Sequence, residues 1–226
     1  MNFALEIENL SKSFQEQKVL ENISLYIKEG EKVVIFGYNG SGKTTLLRCI
    51  MGFLSFEGQI KIFGKNAKEP NYYDKRNLSY CPQVHPIWSV KVKDLINFVS
   101  VSKCIPLSNF SEMFDFFELE LSSIENKKLT ELSGGMRQKL FLSLALAGKP
   151  KILLLDEPFS HLDVSAQKKL FDFLKELEST QIISTHRLQD VSFATRVIYM
   201  NQGKIKFDGG YKEFLENYKI ENDRII

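Results

Sequence analysis

The chain has 226 residues, 43% of them hydrophobic and 26% charged, and carries a formal net charge of +2. That length buries a substantial core, in one large domain or a main domain with a subdomain, and the composition excludes a disordered chain. The near-neutral balance is not that of a nucleic-acid-binding protein, Lys127-Lys128 and Lys168-Lys169 read as solvated faces, and no charged tail points to a polyanionic partner, so no nucleic-acid partner is expected.

From the N-terminus, Phe3–Leu10 and Val19–Ile27 tend to alternate apolar with polar residues, which predicts half-buried strands at a sheet edge. Lys32–Phe36, KVVIF, is instead a continuous apolar run, as expected of a strand buried on both faces of a parallel sheet. Leu78–Cys81, Lys151–Leu155 and Gln181–Ser184 share that texture, and helical patterns at Lys43–Met51, Ser133–Ala147, Val164–Leu177 and Leu188–Ala194 separate these strands. Alternating strands and helices predict an α/β sheet covered on both sides. Between about Val84 and Lys149 no buried-strand pattern occurs, and helices over Val90–Val99 and Asn109–Phe117 predict a helical insertion. Arg196–Met200 and Lys204–Phe207 flank Asn201-Gln202-Gly203, a hairpin turn, and a short helix over Tyr211–Asn217 follows.

Val33–Phe36, Leu140–Ala147 and Ile152–Leu155 are the longest apolar segments and fall short of the roughly 18 residues that span a bilayer, so a membrane role requires a partner. The first ten residues carry glutamates and lack the pattern of a signal peptide. Cys49, Cys81 and Cys104 are far apart and read as reduced, cytosolic thiols.

Chemistry enters at Gly37-Tyr38-Asn39-Gly40-Ser41-Gly42-Lys43-Thr44, which matches G-x-x-x-x-G-K-[ST] between a strand and a helix. Glycines let consecutive backbone N–H groups wrap phosphate oxygens, and the helix adds its positive end. Lys43 supplies a charge to the terminal phosphates, and Thr44 a hydroxyl to Mg2+. Further on, ILLLDEP at 152–158 sets two carboxylates at the carboxyl end of a buried strand, where ligands sit in open α/β sheets. Asp156 is expected to hold Mg2+, directly or through water, and Glu157 to orient and deprotonate an attacking water. Ser133-Gly134-Gly135 at a helix start has two readings: a cap with a flexible entrance, or half of an anion site that lacks its own lysine.

The phosphate loop at 37–44, LSGG at 132–135 and LLLDEP at 153–158 together resemble the ATP-binding cassette (ABC) family, over essentially the whole chain. By this resemblance Gln83 matches the Q-loop glutamine, which coordinates Mg2+ and senses nucleotide. Ser160-His161-Leu162-Asp163 matches the D-loop, and His186 the switch histidine that polarises the γ-phosphate and fixes the water. Phe14 stands where the family stacks an aromatic on adenine. The implied ATP-contacting set is Phe14, Gly37 to Thr45, Ser133, Gly134, Gly135 and Asp163. The implied catalytic set is Lys43, Gln83, Glu157 and His186, and the metal set Thr44, Gln83 and Asp156.

The resemblance implies one ABC ATPase domain over 1–226, of α/β phosphate-loop NTPase class. Its core would be 1–83 and 150–226, with a mostly parallel sheet and an N-terminal antiparallel β part, and a helical subdomain at 84–149 would lie between Q-loop and signature. It also implies a head-to-tail homodimer or heterodimer with ATP between the phosphate loop of one subunit and LSGG of the other. The subunits would dock on integral membrane permease partners at the cytosolic face of the membrane. A soluble ABC ATPase acting in iron–sulfur assembly is the alternative. Trp88 after the Q-loop has two readings, a contact with the membrane partner or a core residue of the helical part. Met136 in place of the usual signature glutamine, His161 in place of a small D-loop residue and Phe14 in place of tyrosine depart from the pattern.

Overall fold

The computed structural model describes residues 2–69, 77–218, 220–221 and 224–225. Two long strands, β1 (Phe3–Phe14) and β2 (Gln17–Lys28), pair as an antiparallel hairpin, and β1 pairs on its other side with β4 (Glu57–Ile62), which is followed by the short β5 (Lys65–Asn66). Leu5, Ile7, Leu25, Ile27, Ile60 and Ile62 bury the inner face, as the period-2 alternation requires.

The second sheet has the order β10-β9-β3-β8-β7-β6. Its strands are β3 (Lys32–Phe36), β6 (Leu78–Cys81), β7 (Ile152–Asp156), β8 (Thr180–Thr185), β9 (Arg196–Asn201) and β10 (Lys204–Gly209). All pairings are parallel except that of β10 with β9. The continuous apolar runs have a direct cause. Val33 and Ile35, Ile152 and Leu154, and Ile182 face a core shared with the antiparallel sheet and helix α1 (Lys43–Ile50). Val34 and Phe36, Leu153 and Leu155, and Ile183 face a second core under helices α5 (Gly134–Leu146), α6 (Val164–Glu176) and α7 (Tyr211–Asn217).

Helices α2 (Val92–Lys103), α3 (Leu107–Phe116) and α4 (Leu121–Ile124) gather around a third cluster that includes Ile96, Phe110, Phe114 and Ile124. Helix α5 belongs to two cores at once: Leu140 and Leu144 pack into this cluster, while Leu142, Ala145 and Leu146 pack against the sheet. A helix with apolar residues all round is one buried on several sides, and here it joins the helical part to the sheet.

One sequence expectation is corrected, one strand was not anticipated, and one open reading is decided. Leu188–Ala194 forms only a 3-10 turn, Leu188–Val191, because Thr185 Oγ1 both donates to Asp190 (2.8 Å) and accepts the Arg187 N–H (3.0 Å), pinning the segment to the end of β8. Strand β4 has too short an alternating stretch to stand out, and it meets β1 so closely that a Cβ on Gly58 would lie 2.5 Å from the Asn9 carbonyl oxygen. Trp88 is 54% exposed and therefore not a core residue. The hairpin at Asn201–Lys204 forms as expected, with positive φ at Gln202 and Gly203.

Candidate functional site

Strand β3 ends at Phe36, and the chain then closes a loop onto the N-terminus of α1. The glycines are required by space and dihedral angle. A Cβ on Gly37 would lie 2.4 Å from the Met200 carbonyl oxygen, and Gly42, the N-cap, has φ +104. The Ser41 carbonyl accepts the Gly203 N–H at 3.0 Å, which ties the loop to the β9–β10 turn. The loop borders a cleft of about 340 Å3 lined by Val19, Asn39, Gly40, Ser41, Gly42, Lys43, Thr44, Thr45, Gln83 and Glu157.

Buried Lys43 donates to the carbonyls of Gly37 (2.6 Å) and Tyr38 (3.2 Å) and lies 3.7 Å from Glu157 Oε1. Burial lowers its pKa, and the Glu157 and Asp156 carboxylates oppose that fall. Glu157 Oε1 also meets His186 Nδ1 at 2.9 Å. Lys43 and His186 thus converge on the Glu157 carboxylate, on a residue with φ +51, in the left-handed region. Asp156, fully buried, accepts from Thr44 Oγ1 at 3.1 Å.

The site suits a polyphosphate with a hard cation. Ser41 Oγ is buried without a partner, so it is available to a ligand oxygen. The Thr44 hydroxyl and Asp156 carboxylate adjoin, and Gln83 lines the same cleft; all offer oxygen, which suits Mg2+.

Phe14, Ser133, Gly134, Gly135 and Asp163 are not among the residues lining the cleft. Phe14 ends β1, is 46% exposed and has the Lys12 ammonium 4.9 Å from its ring centroid, so it is not a core residue. Ser133 caps α5 by accepting the Met136 N–H at 3.2 Å. Gly134 and Gly135 pack on the loop after Glu157: a Cβ on Gly135 would sit 3.0 Å from the His161 carbonyl oxygen, and one on Gly134 3.4 Å from the His161 ring. His161 itself has φ +61. Gln138 adds a second tie, donating to the Pro158 carbonyl at 2.8 Å. Asp163 caps α6 by accepting the Ala166 N–H and pairs with Lys139 of α5 at 3.3 Å. Met136 is half-buried against the helical cluster.

Sequence reasoning missed two side chains at the site. Ser184, in register with Asp156, and Tyr80 both hydrogen-bond the Asp156 carboxylate. Their signal was a polar residue near the carboxyl end of a strand that reads as wholly buried.

Residues 20–160 match the family model described as ABC transporter. The chain is 34% identical over 220 residues to an ABC transporter ATP-binding protein of Bacillus subtilis described as uncharacterized, covering 92% of this chain and 72% of that protein. It is 36% identical over 221 residues to an energy-coupling factor transporter ATP-binding protein of Fusobacterium nucleatum, covering 93% and 84%. Among solved structures, the dimeric post-hydrolysis state of the ATP-binding cassette MJ0796, bound to ADP and Pi, superposes with a TM-score of 0.81 at 26% identity, covering 92% of this chain and 98% of that one. No helix among the described residues is long and apolar enough to cross a membrane. The chain belongs to the ABC transporter family, as an ATP-binding and ATP-hydrolysing subunit.

Proposed function

We propose that this subunit hydrolyses ATP with Glu157 as general base and His186 as its orienting partner. The observation that carries this reading is the convergence of Lys43 and His186 on Glu157 Oε1, at 3.7 and 2.9 Å, beside the phosphate-loop cleft. The loop from Gly37 to Gly42 wraps the phosphates, with Asn39, Gly40 and Ser41 lining the cleft and Tyr38 closing the turn with Ser41. Thr45, also on the cleft wall, follows Thr44 into the first turn of α1. Lys43 compensates phosphate charge, and Glu157, its carboxylate oriented by the His186 imidazole, accepts a proton from the attacking water. Phe14 offers an exposed aromatic face to the base.

Thr44, Asp156 and Gln83 would hold Mg2+, which when bound neutralises phosphate charge as the leaving group departs. Ser133, Gly134 and Gly135, with Asp163 nearby in the loop that packs on them, would meet the ATP of a second cassette in a head-to-tail homodimer or heterodimer. The dimeric state of the MJ0796 cassette supports that reading. Integral membrane permease subunits are the proposed further partners, at the cytosolic face. Val84, Ile87, Trp88 and Val90 are all exposed within seven residues after Gln83, an apolar segment that suits a protein contact. The relatives reported above are named as transporter ATP-binding components, which favours this over a soluble assembly factor. Glu157→Gln tests the assignment: it is expected to bind ATP, lose turnover and accumulate a dimer on gel filtration with ATP. A variant that stays monomeric with ATP, or that hydrolyses at the parent rate, overturns it.

A further inference from the structure

Ser184 is fully buried at the carboxyl end of β8, in register with Asp156 of β7. It follows the apolar Ile182 and Ile183 on a wholly buried strand, so a hydroxyl here is costly unless both its donor and acceptor functions are met. Both are. The hydroxyl donates to Asp156 Oδ1 at 2.5 Å and accepts the Glu157 N–H at 3.2 Å. That N–H also reaches the Ser184 carbonyl oxygen at 3.1 Å. One serine therefore touches the two consecutive acidic residues, and it does so where Glu157 has φ +51, a conformation that a non-glycine residue holds only with outside support. On the other side of the carboxylate, the Tyr80 hydroxyl donates to Asp156 Oδ2 at 3.4 Å.

We propose that Ser184, assisted by Tyr80, is a positioning residue for hydrolysis: it fixes the rotation of the Asp156 carboxylate and the turn that aims Glu157 at His186. This rests on the assignment of Mg2+ to Asp156 made above. With Oδ1 shared by Ser184 and Thr44 and Oδ2 engaged by Tyr80, the carboxylate plane is held from both edges. An apolar residue at 184 leaves Oδ1 with Thr44 alone and the Glu157 N–H with a carbonyl alone. Groups that orient metal-holding carboxylates commonly change metal affinity or activity by about 10- to 100-fold when removed.

The test compares Ser184→Ala, Ser184→Thr, Tyr80→Phe and Asp156→Asn in the full chain. Binding of a fluorescent ATP analogue is measured in EDTA and across a Mg2+ titration, alongside kcat and Tm. Ser184→Ala is expected to raise the Mg2+ concentration for half-maximal enhancement of binding about tenfold and to lower kcat by about as much. Affinity in EDTA should stay at the parent value, Ser184→Thr should restore most of the loss, and Tyr80→Phe should move the Mg2+ requirement about two- to threefold, as befits its longer bond. A Mg2+ requirement unchanged in Ser184→Ala, or an equal loss of affinity with and without Mg2+, overturns the proposal. If Asp156→Asn raises the Mg2+ requirement and Ser184→Ala does not, only the role of Ser184 falls. If neither does, the assignment of the metal to Asp156 falls with it.

Discussion

Acid should loosen this fold through one histidine. His85 is 8% exposed, stacks on Phe141 with ring centroids 4.4 Å apart, and has its pKa lowered to about 4, first by burial and then by the charges of Arg137 and His161. The sign follows from the direction. A group with its folded pKa below its unfolded value binds fewer protons in the fold, so its contribution is complete above about 6.5 and is lost as pH falls toward 4. At 1.36 kcal/mol per pH unit, the difference between 6.5 and about 4 corresponds to roughly 2 kcal/mol lost between pH 7.5 and pH 5, and about 3 kcal/mol by pH 4. Urea unfolding at half-unit steps over that range measures it, with His85→Phe as the reference because phenylalanine keeps the stack on Phe141 and cannot titrate. The carboxylates that protonate at the acid end do so in both proteins, so the informative quantity is the difference in slope. Parallel stability curves for the parent and His85→Phe between pH 7.5 and pH 5 would refute the reasoning.

Other outcomes follow from single contacts. Lys103 donates to Ser79 Oγ at 2.7 Å and to the Leu78 carbonyl, and burial lowers its pKa to about 8; stability should therefore rise with pH between about 8 and 10.5, and Lys103→Met should abolish that rise in the same urea series. Gly37→Ala should cost about 2–3 kcal/mol by thermal unfolding and weaken nucleotide binding, because its Cβ would meet the Met200 carbonyl at 2.4 Å, a backbone atom with no rotamer to yield. Arg196→Ala should cost about 2 kcal/mol, since its guanidinium bridges Asp208 on β10, Glu31 and the Tyr26 carbonyl and so joins the two sheets. Lys43→Ala should reduce ATP turnover at least a hundredfold, measured by phosphate release.

Much of this was legible in the chain because backbone demands write themselves into composition. The phosphate loop announces itself through Gly37, Gly42 and Lys43, and the doubly covered sheet through KVVIF and ILLLD, whose alternate residues enter different cores. The contacts that organise those motifs leave fainter marks. Ser184 reads as one more residue of a buried strand until the register sets it beside Asp156. His161 reads as a departure from a family pattern, whereas its carbonyl and ring are what Gly135 and Gly134 approach. Helical periodicity over Leu188–Ala194 is real, but Thr185 and Asp190 exchange a hydrogen bond that allows only one turn. Propensity and periodicity describe neighbours in sequence, and these features depend on neighbours in space.

The short segment from Glu157 to Asp163 carries a consequence for how two nucleotides would be handled together. At its first residue stands the carboxylate that faces Lys43 and His186; at its middle, His161 lies under the glycines that start α5; at its end, Asp163 grips Lys139 on that same helix. In the proposed dimer the first residue attends to one ATP and the glycines to the other. A span of seven residues thus links a subunit's own chemistry to the surface it lends its neighbour, and Gln138 shortens the mechanical path further by holding Pro158. In the proposed dimer, a disturbance at either nucleotide would have a short route to its counterpart within a single protomer, through this stretch of loop.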